Sequence, residues 1–425
     1  MHAEELYQFR HAVMRDAAYL LHPLTLRGTL HRVALELYES ELGFELPEPE
    51  EKLRTETLPV DSLMAQMAIH ARYAQDEPYA NVQLLRRNEA KYLVRAANYA
   101  EQHYDHNQAI TAWRRLADIA EGRIRFSALQ RLSQTSRVVS RMQDGFTACT
   151  EALEIARNEL SNKDIVLALA EKGLAHWYDD QPETARECLE EAVSLFDADV
   201  SKSLEANTLG LLGMVYHQLG RVEEFENLCM RALELMKQAT DRFNLGVMLQ
   251  NLGATMIDAR RFDEGESYLT QAIAVHTELN DDTNLGIGLN NLSMLESERG
   301  NYARAIEYAE RSMPLLARVG NRRSLGYAYA ARGTAFTHLG RLPLADADVS
   351  EALAIHREAG NLSGEASCLC DLGLIKVMRG EAAQGRKLWL NGMELIRKLR
   401  NEATVQHYLH EMRQACEGAG IEPIE

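Results

Sequence analysis

Long hydrophobic runs are what this chain of 425 residues most plainly lacks. No window of about 18 consecutive apolar residues occurs, so no membrane span is expected. The opening MHAEELYQFRH has no apolar core of the kind a secretory leader needs. Cysteine is scarce, with six in all. They are scattered at Cys149, Cys188, Cys229, Cys368, Cys370 and Cys416, with no CxxC pair and no Cys/His run at ligand spacing. That excludes a disulfide framework and a zinc site and points to a reducing, cytoplasmic setting. Positive charge is in the minority: 46 Lys and Arg against 63 Asp and Glu give a formal charge of −17. Such a balance disfavours non-specific nucleic-acid binding, which needs cations to displace counterions. It also disfavours anionic membrane surfaces.

Catalytic signatures are missing too. There is no GxxxxGK[ST] loop to cradle nucleotide phosphates and no GxSxG elbow. His410–Glu411 starts like a metalloprotease motif but has no second histidine at the needed helical turn. Asp346, Asp348, Ser350 and Glu351 are spaced like part of a calcium loop, yet lack its turn glycine and fall in a helical register. His103 and His106 flank a turn. The expectation is a non-enzymatic chain with no metal and no cofactor.

What is present is a spacing. Small residues recur every 40 positions at Gly173, Gly213, Gly253, Ser293, Gly333 and Gly373. Gly220, Gly300, Gly340 and Gly380 hold the same step, as do Ala152, Ala192, Ala232, Ala272, Ser312 and Ala352. A constant period of this length signals a stacked array of supersecondary units. Around Gly253, Leu245, Leu249, Leu252 and Met256 sit at helical spacing. Arg260–Arg261 makes a polar turn, and a second helical segment runs from about Asp263 to Leu279. Asn280–Asp281–Asp282 breaks it. The unit is helix–turn–helix, and the small residue of the first helix lets the second pack closely. Ala185, Gly265, Ala305, Ala345 and Gly385 lie across from it. Phe225 breaks that rule, so the unit at Gly213 is expected to pack more loosely.

These residues resemble the tetratricopeptide repeat, whose pattern is matched by Leu209, Leu212–Gly213, Tyr216 and Ala232, and by Leu249, Leu252–Gly253 and Ala272. The period of 40 resembles the longer subfamily of kinesin light chains, LGN-type scaffolds and bacterial regulators; Leu289–Ser293 reads LNNLS. The resemblance implies an all-α, right-handed superhelical solenoid. About eight units run over 93–399, with a capping helix and tail at 400–425. FRHAVMRDAAY at Phe9–Tyr19, with LHPLTLRGTLHRVALELYE after it, resembles STAND-type signal-transduction ATPases and ATPase-linked kinases and cyclases, where such a phrase precedes a tetratricopeptide sensor arm. Residues 1–42 then read as a winged-helix-like segment, 43–60 as a linker and 61–92 as a helical entry. The basic set Arg10, His11, Arg15, His22, Arg27, His31 and Arg32 reads as solvated and packing residues of that segment.

In this family the first helices line a concave groove. That makes His217, Gln250, Asn251, Asn290, Asn291, Tyr327 and Asp371 candidate contacts for a protein or peptide partner. Asn251 and Asn291 share one repeat position, Asp371 takes it in the last unit, and Leu211 and Ala331 depart from it. An amide donates and accepts at once, as a peptide backbone requires; local capping explains the same residues equally well. Arg131 and Arg137, with Gln134 and Trp177–Tyr178, form a second candidate, a basic and aromatic patch suited to a carboxylate or phosphate. His276 and His356 share a position and so a common structural environment. Three functions stay open: a peptide- or protein-binding scaffold, a sensing arm for a small molecule or signal peptide regulating a nucleotide-binding domain upstream or in trans, and a homo-oligomerisation surface.

Overall fold

The computed structural model describes residues 21–42, 46–49, 53, 58–139, 141–398 and 402–422. The stretch that carries Phe9–Tyr19, with Arg10, His11 and Arg15, and most of the 43–60 linker lie outside the described residues. Among the described residues there are nineteen α-helices and no strand. The chain divides into two compact units, residues 1–132 and 133–425.

In the first unit, α1 (Leu24–Leu42), α2 (Met64–Ala74), α3 (Val82–Gln102) and α4 (His106–Ile119) precede α5 (Gly122–Val138), within which the division falls. Helix α3 runs through Leu93 without a break. A buried ion pair from Arg95 to Asp61, 2.6 Å, ties α3 to the short 3-10 turn at Asp61–Leu63. Arg27 donates to the His22 carbonyl at 2.8 Å, and Arg32 pairs with Glu77 at 2.7 Å. These basic residues are engaged locally.

The second unit is an array of helix pairs. After α6 (Met142–Glu159) the pairs are α7 (Asn162–Tyr178) with α8 (Pro182–Ser194), α9 (Lys202–Gln218) with α10 (Val222–Gln238), and α11 (Arg242–Asp258) with α12 (Phe262–Glu278). Then come α13 (Asp282–Glu298) with α14 (Tyr302–Arg318), α15 (Arg322–His338) with α16 (Leu342–Glu358), and α17 (Leu362–Met378) with α18 (Ala382–Lys398). A final unpaired helix, α19 (Glu402–Ala419), keeps the step. From α9 to α18 every helix has 17 residues.

Two local devices enforce this regularity. First helices open on a cap. Asp241, Asp281, Asn321 and Asn361 each accept the backbone N–H three residues on, satisfying a donor the helix leaves orphaned. Asp281 therefore starts α13 rather than merely ending α12. Joints within a pair turn through a residue of positive φ, at Gly220, Arg260, Gly300, Gly340 and Gly380. The following N–H then bonds back five residues, as from Arg261 to the Met256 carbonyl at 2.8 Å.

The core lies between the paired helices. A Cβ on Gly253 would stand 2.6 Å from Leu269 Cγ and 3.2 Å from the Gly265 carbonyl, so only glycine admits so close a second helix. Ser293 is accommodated differently, its hydroxyl donating to the Ala305 carbonyl at 2.7 Å. In the pair at Gly213, the nearest atoms are Cys229 Sγ at 3.1 Å and Phe225 Cδ2 at 3.7 Å, and no backbone carbonyl comes as close. The buried Phe225 ring stands where the other pairs have a small residue, and α9 and α10 stay in register with it. A cavity of about 330 Å³, lined by Val193, Leu212, Tyr216 and Leu228 with Glu190 and Glu224, sits beside it.

Candidate functional site

The first helices of successive pairs pack against their own second helices and against one another. On α11 and α13 they carry four amides in two adjacent pairs. Gln250 and Asn290 occupy one register position, and each is 4% exposed. Gln250 Oε1 and Asn290 Oδ1 have no hydrogen-bond partner among the described residues. Gly288 makes room for the first: a Cβ there would lie 3.3 Å from Gln250 Oε1. A buried amide oxygen without a donor costs about 1–3 kcal/mol. Asn251 and Asn291, the next residues along, are half-buried.

The other candidates fall elsewhere. His217 is half-buried, its ring 5.1 Å from that of Phe225, and burial lowers its pKa. Tyr327 is tied to a joint: its hydroxyl accepts from Asn361 Nδ2 at 2.9 Å and its ring lies 4.7 Å from His356. Asp371 faces the final helix. Burial, with the Glu411 charge and against the pull of the nearby Tyr408 hydroxyl, brings its carboxyl up to about 7.

Both basic candidates already hold carboxylates. Arg131, in the first unit, pairs with Glu101 and lies over the Trp113 ring at 5.5 Å. Arg137, in the second, pairs with Glu171, which also accepts from Ser133 Oγ at 3.0 Å. Burial works against the Arg137 charge, but Glu171 outweighs it and the guanidinium pKa is raised. The calcium-like set is likewise spent on neighbours, with Arg332 gripping Asp348 at 2.7 and 2.9 Å and Arg379 holding Asp346 at 2.6 Å.

Glu171 is a residue the spacing argument passed over. It stands in the register of Asn251, Asn291 and Asp371, so the repeat frame itself could have found it. Among the described residues no group of three or more His, Cys, Asp or Glu side chains is placed to hold a metal ion, and no helix is long and apolar enough to cross a membrane.

The tetratricopeptide-repeat sequence profile matches residues 206–241 and 248–318, which cover α9 to α14. The array is a tetratricopeptide solenoid. No curated protein sequence matches the chain. Solved structures match its fold. A Rap protein complexed with Competence and Sporulation Factor superposes with a TM-score of 0.61 at 12% identity, over 89% of this chain and 98% of that one. A STAND protein with a tetratricopeptide repeat sensor from Pyrococcus horikoshii superposes with a TM-score of 0.53 at 14% identity. That match covers 96% of this chain and 62% of the Pyrococcus protein. Tetratricopeptide solenoids are in general non-catalytic scaffolds.

Proposed function

We propose that the tetratricopeptide array binds an extended peptide segment of a partner across the first-helix face of α9, α11 and α13, without catalysing a reaction on it. The observation that carries this is the pair of half-buried amides on Asn251 and Asn291, one per unit at the same register, each beside a buried amide, Gln250 and Asn290. The Asn251 and Asn291 amides each offer an acceptor for a peptide N–H and a donor for a peptide carbonyl. Affinity beyond those bonds comes from apolar side chains laid against Met214 and Met294, whose flexible thioethers adapt to varied surfaces.

The test uses a pool of random-sequence short peptides presented to the immobilised protein, with retained species read by mass spectrometry. The wild-type chain is expected to enrich a defined subset. The double variant Asn251→Ala, Asn291→Ala is expected to lose that enrichment while melting at the wild-type temperature. Equal retention by both proteins would remove the groove assignment.

A second reading makes the same face a sensor whose occupancy regulates a nucleotide-binding domain. It is favoured by the fold likeness to the Pyrococcus STAND sensor over nearly the whole chain. Under it, an enriched peptide alters nucleotide hydrolysis by an ATPase that associates with this chain. An associated ATPase indifferent to saturating peptide would eliminate it.

A further inference from the structure

In a solenoid each unit touches only its neighbours, yet one contact here joins helices from pairs that are four steps apart. The Arg323 guanidinium, at the start of α15, lies over the Tyr178 ring at the end of α7, 5.1 Å from its centroid. Arg323 Nη2 also lies 3.5 Å from the Tyr178 carbonyl oxygen. Arg137 approaches the same ring at 5.7 Å, so one tyrosine serves two guanidinium groups. Arg137 is neutralised by Glu171, and Arg323 lies in the field of the Asp180 carboxylate. Burial pushes the Asp180 carboxyl up and Arg323 draws it back.

Both contacting residues sit on first helices. The loop they close therefore runs through α9, α11 and α13, whose half-buried Asn251 and Asn291 are the amides open to a ligand. We propose that Arg323 and Tyr178 form a latch that shuts the lateral entrance to the first-helix face and opens to admit a groove ligand. The inference rests on the peptide-groove reading for its purpose, though not for its test. One cation–π contact is a weak bond, so the closed form opens without a large barrier. A ligand that fills the groove shifts the balance only through the difference in its affinity for the two forms.

The test needs no ligand. Five of the six native cysteines are buried, and Cys188 is half-buried. In a Cys188→Ser background, Asn251→Cys places a single accessible thiol on the enclosed face. Its modification is timed with two probes, N-ethylmaleimide and a long-chain poly(ethylene glycol) maleimide. Arg323→Ala and Tyr178→Leu are each expected to speed the polymer reaction severalfold while leaving the small reagent unchanged. Tyr178→Phe, which keeps the ring, should behave as the parent. Circular dichroism confirms that each variant folds, and Arg323→Gln replaces Arg323→Ala if it does not. Polymer rates in Arg323→Ala, or its Gln replacement, and in Tyr178→Leu that equal the parent's would overturn the latch. So would a parallel rise with both reagents, because general loosening and not lateral access would then be the cause. Failure of the peptide screen leaves this measurement intact, so the two ideas fall separately.

Discussion

Gly246 and His276 share one space. A Cβ on Gly246 would stand 2.7 Å from the His276 ring carbon Cε1, and Gly326 meets His356 at the same 2.7 Å. Between them, Gly286 faces Leu316 at 2.9 Å. A bulky side chain late in each second helix is thus seated on a bare patch of the first. Both histidines are fully buried.

Gly246→Ala is expected to destabilise the array by about 1–3 kcal/mol, because the added methyl must displace a ring that has nowhere to go. Gly210 is a helical glycine with a different outlook: the nearest atom to its added Cβ is the Met248 methyl at 3.7 Å. Gly210→Ala should raise stability by up to about 1 kcal/mol through helix propensity alone. Urea midpoints decide between them, and shifts of the same sign would contradict the packing account.

His356 gives the fold a pH dependence of known sign. Burial, helped by the Arg323 charge, lowers its pKa to about 4. The unfolded chain titrates near the ordinary value of about 6.5. Between those values the unfolded state takes up a proton that the folded state refuses, so stability is full above about pH 6.5 and falls as pH drops toward 4. Leu316 shows that leucine fits opposite a glycine at this register. His356→Leu should therefore gain on the wild type by roughly 3 kcal/mol between pH 8 and pH 4. A gap between the two proteins that stays constant with pH would refute this.

Arg260 stands where its counterparts are Gly220, Gly300, Gly340 and Gly380, with φ of +58°. A residue with a Cβ pays for that conformation, while its side chain returns little. It is 72% exposed and reaches Glu298 only at 3.6 Å. Arg260→Gly should stabilise the protein by about 0.5–1 kcal/mol, the strain relieved outweighing the extra freedom of an unfolded glycine. Calorimetry would show a raised melting temperature; a lower one would mean that the Glu298 contact matters more than the backbone.

The stacking of pairs was legible in the sequence because close approach leaves a mark that side-chain chemistry cannot hide. Gly253 and Gly265 face one another across a backbone-to-backbone contact. The shared position of His276 and His356 likewise foretold a shared environment. The candidate site was legible only in part. Asn251 and Asn291 could be placed by register, but whether a neighbour would satisfy Gln250 and Asn290 depends on the spacing of adjacent first helices. Tyr327 and Asp371 looked free in the register and are engaged by Asn361 and Tyr408, which come from a joint and from the last helix. Arg323 was invisible to any periodic argument, since its partner lies 145 positions away.

The uniform joints from α9 to α18 carry one more implication. The joint inside each pair has one length and one left-handed turn residue, whereas the seams between pairs differ, the α10–α11 turn lacking the positive-φ residue found at Asn280, Gly320 and Gly360, so a pair that is duplicated or excised keeps its own joint while its two seams have to be refitted. The reach of the inner face along a bound chain is therefore adjustable only in whole modules. The latch would not survive such a change, because it depends on how many modules stand between α7 and α15. Length and closure are coupled in this protein, and a natural relative that gained or lost a module would have to find another way to shut its entrance.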